Sequence, residues 1–164
     1  MKTIFFVRHS KAIHDNITAD FQRCLEERGK NDAVLMATKL KAMSICPDKI
    51  IASSAKRTMQ TAKIFAKFLG VKKKIKEEPK LYATTPEAII EVINAIKNKH
   101  NSVMIVAHNN EIAEVCELLS SASIASFPTS GVYAISFETD DFASIKAGSG
   151  KTMFFDYPKN QTLA

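Results

Sequence analysis

The sequence has no tryptophan, 8% aromatic residues and three cysteines, and each shortage removes a class of protein. With so few aromatic rings, which interfaces favour, no clear partner surface stands out. Cys24, Cys46 and Cys116 are odd in number and include no C-x-x-C pair, so neither a disulfide framework nor a zinc site is signalled. No apolar run approaches the ~20 residues of a membrane-spanning helix. The opening MKTIFFVRHS has a short apolar segment interrupted by Arg8 and no small-residue cleavage site. It reads as a strand rather than a signal peptide, and the expected location is cytoplasmic. No repeat, low-complexity tract or Pro/Gly/Ser linker divides the chain, so one domain over 1–164 is expected. Acidic residues are the scarcer charge, 17 against 23 Lys and Arg, giving a net +6. That balance suits a protein that meets anions without choosing between phosphate groups and nucleic acid. Apolar residues at 46% and charged ones at 24% exclude disordered, collagen-like and coiled-coil classes. A chain of this length should bury roughly 70% of its extended surface.

What is present is an alternation of apolar runs and helical stripes. Thr3–Val7, Lys49–Ala52 and Val103–Ala107 read as strands. Between and after them, Ala33, Met36, Ala37 and Leu40 form one stripe, and Met59, Ala62, Phe65, Ala66 and Leu69 another. Ile89, Val92, Ile93 and Ile96 give a third, and Ile112, Val115, Cys116 and Leu119 a fourth. Gly70 is placed to end the second helix, and Thr85-Pro86 to cap and open the third. The stripe around Cys116 makes that cysteine a small core hydrophobe. Two further strands, Val132–Phe137 and Thr152–Tyr157, close the chain around an acidic, glycine-containing loop. The pattern predicts an α/β fold, a three-layer sandwich with a mostly parallel sheet between helices. Strands apolar on both faces agree with burial from both sides.

In such sheets ligands bind beyond the carboxyl ends of the strands. Those positions hold Arg8-His9-Ser10-Lys11, then Ser53-Ser54-Ala55-Lys56-Arg57-Thr58, then His108-Asn109-Asn110. Two of four histidines and two of four arginines therefore stand where the fold builds a site. Each alone has a plain reading, a hydrogen-bonded strand-end imidazole or a solvated arginine on a first helical turn. Together they suit a phosphoryl group, which takes bidentate guanidinium donors and a nitrogen able to attack phosphorus. Helix starts beside them add unpaired N–H groups that favour anions. The residues by themselves stop at an anion site with catalytic potential.

V-R-H-S-K-A at 7–12, S-S-A-K-R-T-M-Q-T-A at 53–62 and V-A-H-N-N at 106–110 resemble the three signature segments of the histidine phosphatase superfamily. Their order and spacing are similar to its short, SixA-like branch of phosphohistidine phosphatases. The likeness continues through Leu81-Tyr82-Ala83, Phe127-Pro128-Thr129-Ser130-Gly131-Val132 and Gly148-Ser149-Gly150-Lys151. It implies a phosphoglycerate mutase-like fold and a metal-independent phosphatase with no cofactor. His9 would be the nucleophile, forming a phosphohistidine intermediate, with Arg8, Arg57 and His108 holding the phosphoryl oxygens. Arg23 and Ser10 are carried over as substrate-binding residues. His9 would need its second ring nitrogen fixed by an acceptor, most simply a backbone carbonyl, so that the other stays free to attack. Ser10 departs from the glycine that many relatives have. Larger members also place a glutamate as general acid near 81–84, where this chain reads Leu81-Tyr82-Ala83-Thr84. Asp20, Glu77, Glu78 and Glu87 are near in sequence, but none matches that motif. The missing acid favours an imidazole leaving group over an alkoxide.

The substrate implied is a phosphorylated histidine-containing protein. A small phosphorylated metabolite or phosphoramidate, and a non-catalytic phosphate-binding module, are the alternatives. No nucleic-acid or membrane partner is expected, and nothing indicates the oligomeric state. Gly148-Ser149-Gly150-Lys151-Thr152 imitates a phosphate loop but has Ile145 where its first glycine should be, and it opens a strand. Lys72-Lys73-Lys74 with Lys76 lacks interleaved aromatics and reads as a solvated turn and strand start. His14 and His100 read as surface residues, and Pro158–Ala164 as a loosely ordered tail.

Overall fold

A computed structural model describes residues 1–159. Most of the expectation for the tail, from residue 160 onward, lies outside the described residues. In chain order the elements are β1 (Lys2–Arg8), α1 (Glu27–Ala42), β2 (Lys49–Ser53), α2 (Lys56–Leu69) and β3 (Ile75–Glu78). They continue with α3 (Pro86–Asn94), β4 (Ser102–Ala107), α4 (Glu111–Ser120), β5 (Val132–Phe137) and β6 (Gly150–Asp156). The six strands form one sheet in the order β3-β2-β4-β1-β5-β6. β3, β2, β4 and β1 are mutually parallel. β5 pairs antiparallel to β1, and β6 antiparallel to β5, so β5 alone runs against the rest. The sheet is thus the mostly parallel one expected, with a mixed edge.

Alternation along the central strands divides the core into two halves. Ile4 and Phe6 of β1, with Val103 and Ile105 of β4, face Ile89, Val92 and Ile93 of α3 and Ile112, Val115, Cys116 and Leu119 of α4. Phe5 and Val7, with Met104 and Val106, face Ala33, Met36, Ala37 and Leu40 of α1 and Ala62, Phe65, Ala66 and Leu69 of α2. The result is helix, sheet and helix in three layers. Each stripe read from the sequence reaches its predicted face, although α3 ends at Asn94 and Ile96 packs from the turn beyond it. Among the described residues, no helix is long and apolar enough to cross a membrane.

Local chemistry sets the boundaries. Thr85 Oγ1 accepts the Ala88 amide at 3.1 Å, with Pro86 at the first helical position. Gly70 ends α2 with φ of +73°, a left-handed cap that costs glycine no strain. Lys72–Lys74 form the exposed turn into β3 that the sequence suggested. The glycine-lysine sequence at 150–151 opens β6, so it is a strand start and not a phosphate loop.

Gly29 does not lie at a turn. It sits in the first half of α1, where glycine costs helix stability, and the reason is a close approach. A Cβ there would collide with the Lys11 carbonyl oxygen and lie 2.9 Å from its amide nitrogen. α1 thus rests directly on the backbone that follows His9. Gly29→Ala should destabilise the fold by about 1–3 kcal/mol through this overpacking. Urea unfolding will check it: a midpoint equal to or above wild type would show that the two backbones can separate freely.

Candidate active site

Parallel pairing of β1, β4 and β2 brings the three polar segments to one edge. Arg8 is the last residue of β1, in register with Ala107 of β4. The His9 amide donates to the Ala107 carbonyl at 3.1 Å, and the imidazoles of His9 and His108 lie 5.4 Å apart between centroids. Arg57, in the first turn of α2, places Nη2 3.3 Å from His108 Nδ1. Arg8 Nη1 donates to the Phe127 carbonyl at 2.7 Å. The four residues singled out from the sequence are therefore one cluster.

The partners of each ring fix its protons. His9 Nδ1 lies 2.8 Å from the Ser10 carbonyl oxygen, which can only accept, so Nδ1 carries the hydrogen and Nε2 holds the lone pair. A backbone carbonyl is the acceptor expected for that ring. Burial pushes the His9 pKa down to about 3, with His108, Arg57 and Arg8 adding to the effect and the Ser10 hydrogen bond opposing it. His108 Nδ1 faces a guanidinium that can only donate, so it accepts from Arg57. Its Nε2 then donates to Ser53 Oγ at 2.8 Å. Burial, then Arg57, depress His108 to about 4, against an opposing pull from Asp20. Both imidazoles are neutral at neutral pH.

Buried polar atoms are normally paired, so exceptions are informative. Among the described residues five buried side-chain atoms have no partner: Arg8 Nε, Ser54 Oγ, Arg57 Nε, Asn109 Oδ1 and Glu111 Oε2. All five belong to the segments at the carboxyl ends of β1, β2 and β4. Two are guanidinium N–H donors, of Arg8 and Arg57, whose charges act on both imidazoles. An anion placed there would satisfy them.

The structure adds two residues that sequence reasoning did not place in the cluster. Asp20, on the loop between β1 and α1, accepts from Arg57 Nη1 through its main-chain oxygen at 2.7 Å. Its Oδ2 takes Arg57 Nη2 at 3.1 Å and the Tyr82 hydroxyl at 2.7 Å. Its Oδ1 takes Arg23 Nη2 at 3.1 Å. The Tyr82 hydrogen bond and then the Arg57 and Arg23 contacts hold the Asp20 carboxyl at about 2, against a burial cost that works the other way. Tyr82 is pushed up by the same Asp20. Its ring stands edge-on to His108 at 5.6 Å. Tyr82 thus occupies the 81–84 stretch that lacks a carboxylate, and the D-x-x-R spacing at 20–23 is the available signal for Asp20. Of the other acids, Glu78 pairs with Lys76 and caps the Lys80 amide, while Glu77 and Glu87 are exposed.

Arg23 lies beside the cluster, bridging Asp20 and the Ile13 carbonyl. Ser10 is fully buried: its hydroxyl bonds Ser130 Oγ, and its amide donates to Thr61 Oγ1 at 2.9 Å. It braces the loop from behind. Cys116 is buried in the core as expected, and His14 is exposed, while His100 is half-buried. Among the described residues no three His, Cys, Asp or Glu side chains gather as a metal-holding group.

Residues 4–85, half of the chain, match the family described as Histidine phosphatase superfamily (branch 1). The chain belongs to that superfamily, and phosphoryl hydrolysis is its reaction class. An uncharacterized Mycobacterium tuberculosis protein is 26% identical over 163 residues, covering 93% of this chain and all of that one. Among solved structures, the protein histidine phosphatase SixA complexed with tungstate superposes with a TM-score of 0.82 at 21% identity, over 95% of this chain and 97% of that one. A Nakamurella multipartitia chain assigned as SixA gives the same score at 19% identity, with 97% of each chain covered. The fold is that of the SixA structures.

The depressed imidazoles dictate an acid sensitivity. Unfolded histidines titrate near ~6.5, so between that pH and the folded values the unfolded chain binds more protons. Stability should be complete above about pH 6.5 and fall as the pH drops towards 4, with a slope approaching about two protons in wild type. His9→Asn and His108→Asn should each reduce that slope by about one proton. Urea midpoints measured from pH 7 to 4 will decide, and slopes unchanged in both variants would show that neither ring is buried neutral.

Proposed function

We propose that this chain is a phosphatase that passes the phosphoryl group through His9 and acts on phosphohistidine in proteins. The observation that carries the reading is His9 itself, neutral and buried, with Nδ1 tied to the Ser10 carbonyl and Nε2 left as a nucleophile. The unpartnered Nε groups of Arg8 and Arg57, whose charges act on His9, support phosphoryl recognition there.

In the first step the Nε2 lone pair attacks phosphorus and the bond from phosphorus to the leaving nitrogen breaks. The leaving imidazole takes that electron pair and departs with a proton it already carries or takes from water. Phosphoryl-His9 keeps its hydrogen on Nδ1, where the Ser10 carbonyl stabilises the positive ring. In the second step water attacks phosphorus, the P–N bond to His9 breaks, and inorganic phosphate leaves. Arg8, Arg57 and His108 act on the phosphoryl oxygens, and the two guanidiniums match their charge before the reaction begins. The negative group also reverses the local electrostatics of His108, whose pKa rises beside a dianion, so Nδ1 can take a second proton and exchange the Arg57 hydrogen bond for one to a phosphoryl oxygen. Arg23 is assigned to the substrate side of the same loop.

The leaving group follows from what stands at Tyr82. Its hydroxyl is committed to Asp20, and Asp20 is held ionised, so neither is a ready proton donor. An alkoxide needs a proton to leave, whereas an imidazole with a pKa of ~6.5 does not depend on one from the enzyme. Phosphoramidate and phosphohistidine should therefore be hydrolysed with kcat/KM at least ~100-fold above simple alkyl phosphates, a gap the size of a general-acid contribution. Comparable rates would place a proton donor in the site.

The direct test is rapid quench with phosphoramidate in the presence of a chelator. His9 should acquire an acid-labile, alkali-stable phosphoryl group that turns over to phosphate, and His9→Ala should acquire none. Arg57→Ala and Arg8→Ala should retain the label at rates lower by about 10²–10³. Phosphate binding without any label would leave a binding module in place of an enzyme.

A further inference from the structure

The loop joining β1 to α1 has two faces. Its inner side sends Asp20 and Arg23 into the network around Arg57. Its outer side presents Ile17, which is 93% exposed, with Ile13 and Phe21 each 38% exposed. Of the large apolar side chains exposed among the described residues, these three fall within nine consecutive positions; the others are scattered over the chain. The exposure is built into an ordered loop. Its base is closed by the Ala12–Leu25 bridge, by Ile13 N–H to the Cys24 carbonyl at 2.8 Å and by Leu25 N–H to Gln60 Oε1 at 2.8 Å. Its tip is folded on Asp15, whose Oδ1 accepts the amides of Ile17 and Thr18. Phe21 stands edge-on to Tyr82 at 5.0 Å, and Tyr82 edge-on to His108 at 5.6 Å, so the ridge is continuous with the imidazole pair.

We propose that Ile13, Ile17 and Phe21 form the docking ridge for the protein that carries the phosphohistidine, against an apolar patch beside its phosphorylated ring. The proposal rests on the phosphohistidine reading above. His9 is only 9% exposed, so a phosphorylated side chain reaches it only when the surface around that side chain lies flush against the rim. A small substrate would leave the ridge in water; a carrier protein covers it, which is the condition under which exposed apolar area becomes binding energy. Charge sets the border of the partner's patch. Asp20 is matched by Arg23 and Arg57, and Asp15 is turned into its own loop, whereas Lys11 and Lys56 on the flanking segments are exposed with no ion-pair partner among the described residues. The complementary surface is apolar with an acidic edge.

The test compares two substrates, phosphoramidate and a small acidic carrier protein phosphorylated on histidine, across wild type, Ile17→Asp and the Ile13→Ser/Ile17→Ser pair. With the carrier, both variants should lose about tenfold in kcat/KM, mainly through KM, the size expected from losing one well-buried apolar contact. Phosphoramidate hydrolysis should stay within about twofold of wild type, because neither isoleucine touches the reacting groups. Equal loss on both substrates, or none on either, would overturn the ridge and leave the enzyme reading standing. Failure of wild type to hydrolyse either substrate would instead sink the reading on which the ridge depends. Sedimentation completes the design: a dimer that Ile17→Asp dissociates would make the ridge a self-interface and overturn the proposal.

Discussion

The hydrogen bond from His9 Nδ1 to the Ser10 carbonyl oxygen is the contact to which the rest of this structure is fitted. It decides which nitrogen of a buried ring is free, and a carbonyl can act so dependably only if its peptide cannot rotate. Three contacts hold the backbone around it. The Ser10 amide is bound to Thr61 of α2, the Ser10 hydroxyl to Ser130 ahead of β5, and the next peptide lies under Gly29 of α1. Those anchors are themselves held by the apolar half-core that β1 shares with α1 and α2. The tautomer of one imidazole is thus a consequence of how two helices pack.

Electrostatics follow from the same confinement. Two arginines and two histidines meet at one sheet edge, and four positive charges there would repel. Burial resolves the conflict by keeping both imidazoles neutral, and Asp20 partly balances Arg57 and Arg23 from the side. What remains is a site with fixed guanidinium donors, two of whose Nε groups are unpartnered, and with imidazoles that can gain protons when an anion arrives. Such a site answers to negative charge without having to be assembled by it.

How much of this could be read beforehand depended on range. The strands β1, β2 and β4 were legible because they are apolar on both faces, and their carboxyl ends then pointed to Arg8, His9, Arg57 and His108. Thr85-Pro86 and Gly70 were legible because caps are local. The direction of β5 was not, since alternation is the same for either orientation. Strand β3 was only half seen, because an edge strand carrying Lys76 and Glu77 has no continuous apolar run. Asp20 and Tyr82 escaped for a different reason. Sixty-two positions separate them, and they meet only because the first loop closes at its Ala12–Leu25 base while the turn at Pro79–Leu81 presents Tyr82. Gly29 carried no signal at all, because its constraint comes from the Lys11 backbone and not from its own helix.

Tyr82 also explains why the absence of a carboxylate at 81–84 need not weaken the site. A glutamate there would add a second acid next to Asp20, and two carboxylates sharing Arg57 would raise one another's pKa and compete for its donors. A phenol gives Asp20 a neutral hydrogen-bond donor instead, so the carboxylate stays ionised and Arg57 stays oriented. The exchange trades a proton donor for a fixed guanidinium. That trade favours a substrate whose leaving group does not need the enzyme's proton, and in the proposed reaction an imidazole is such a group. The ring that Phe21 meets edge-on is the same Tyr82. One residue therefore joins the proton economy inside the site to the apolar rim outside it.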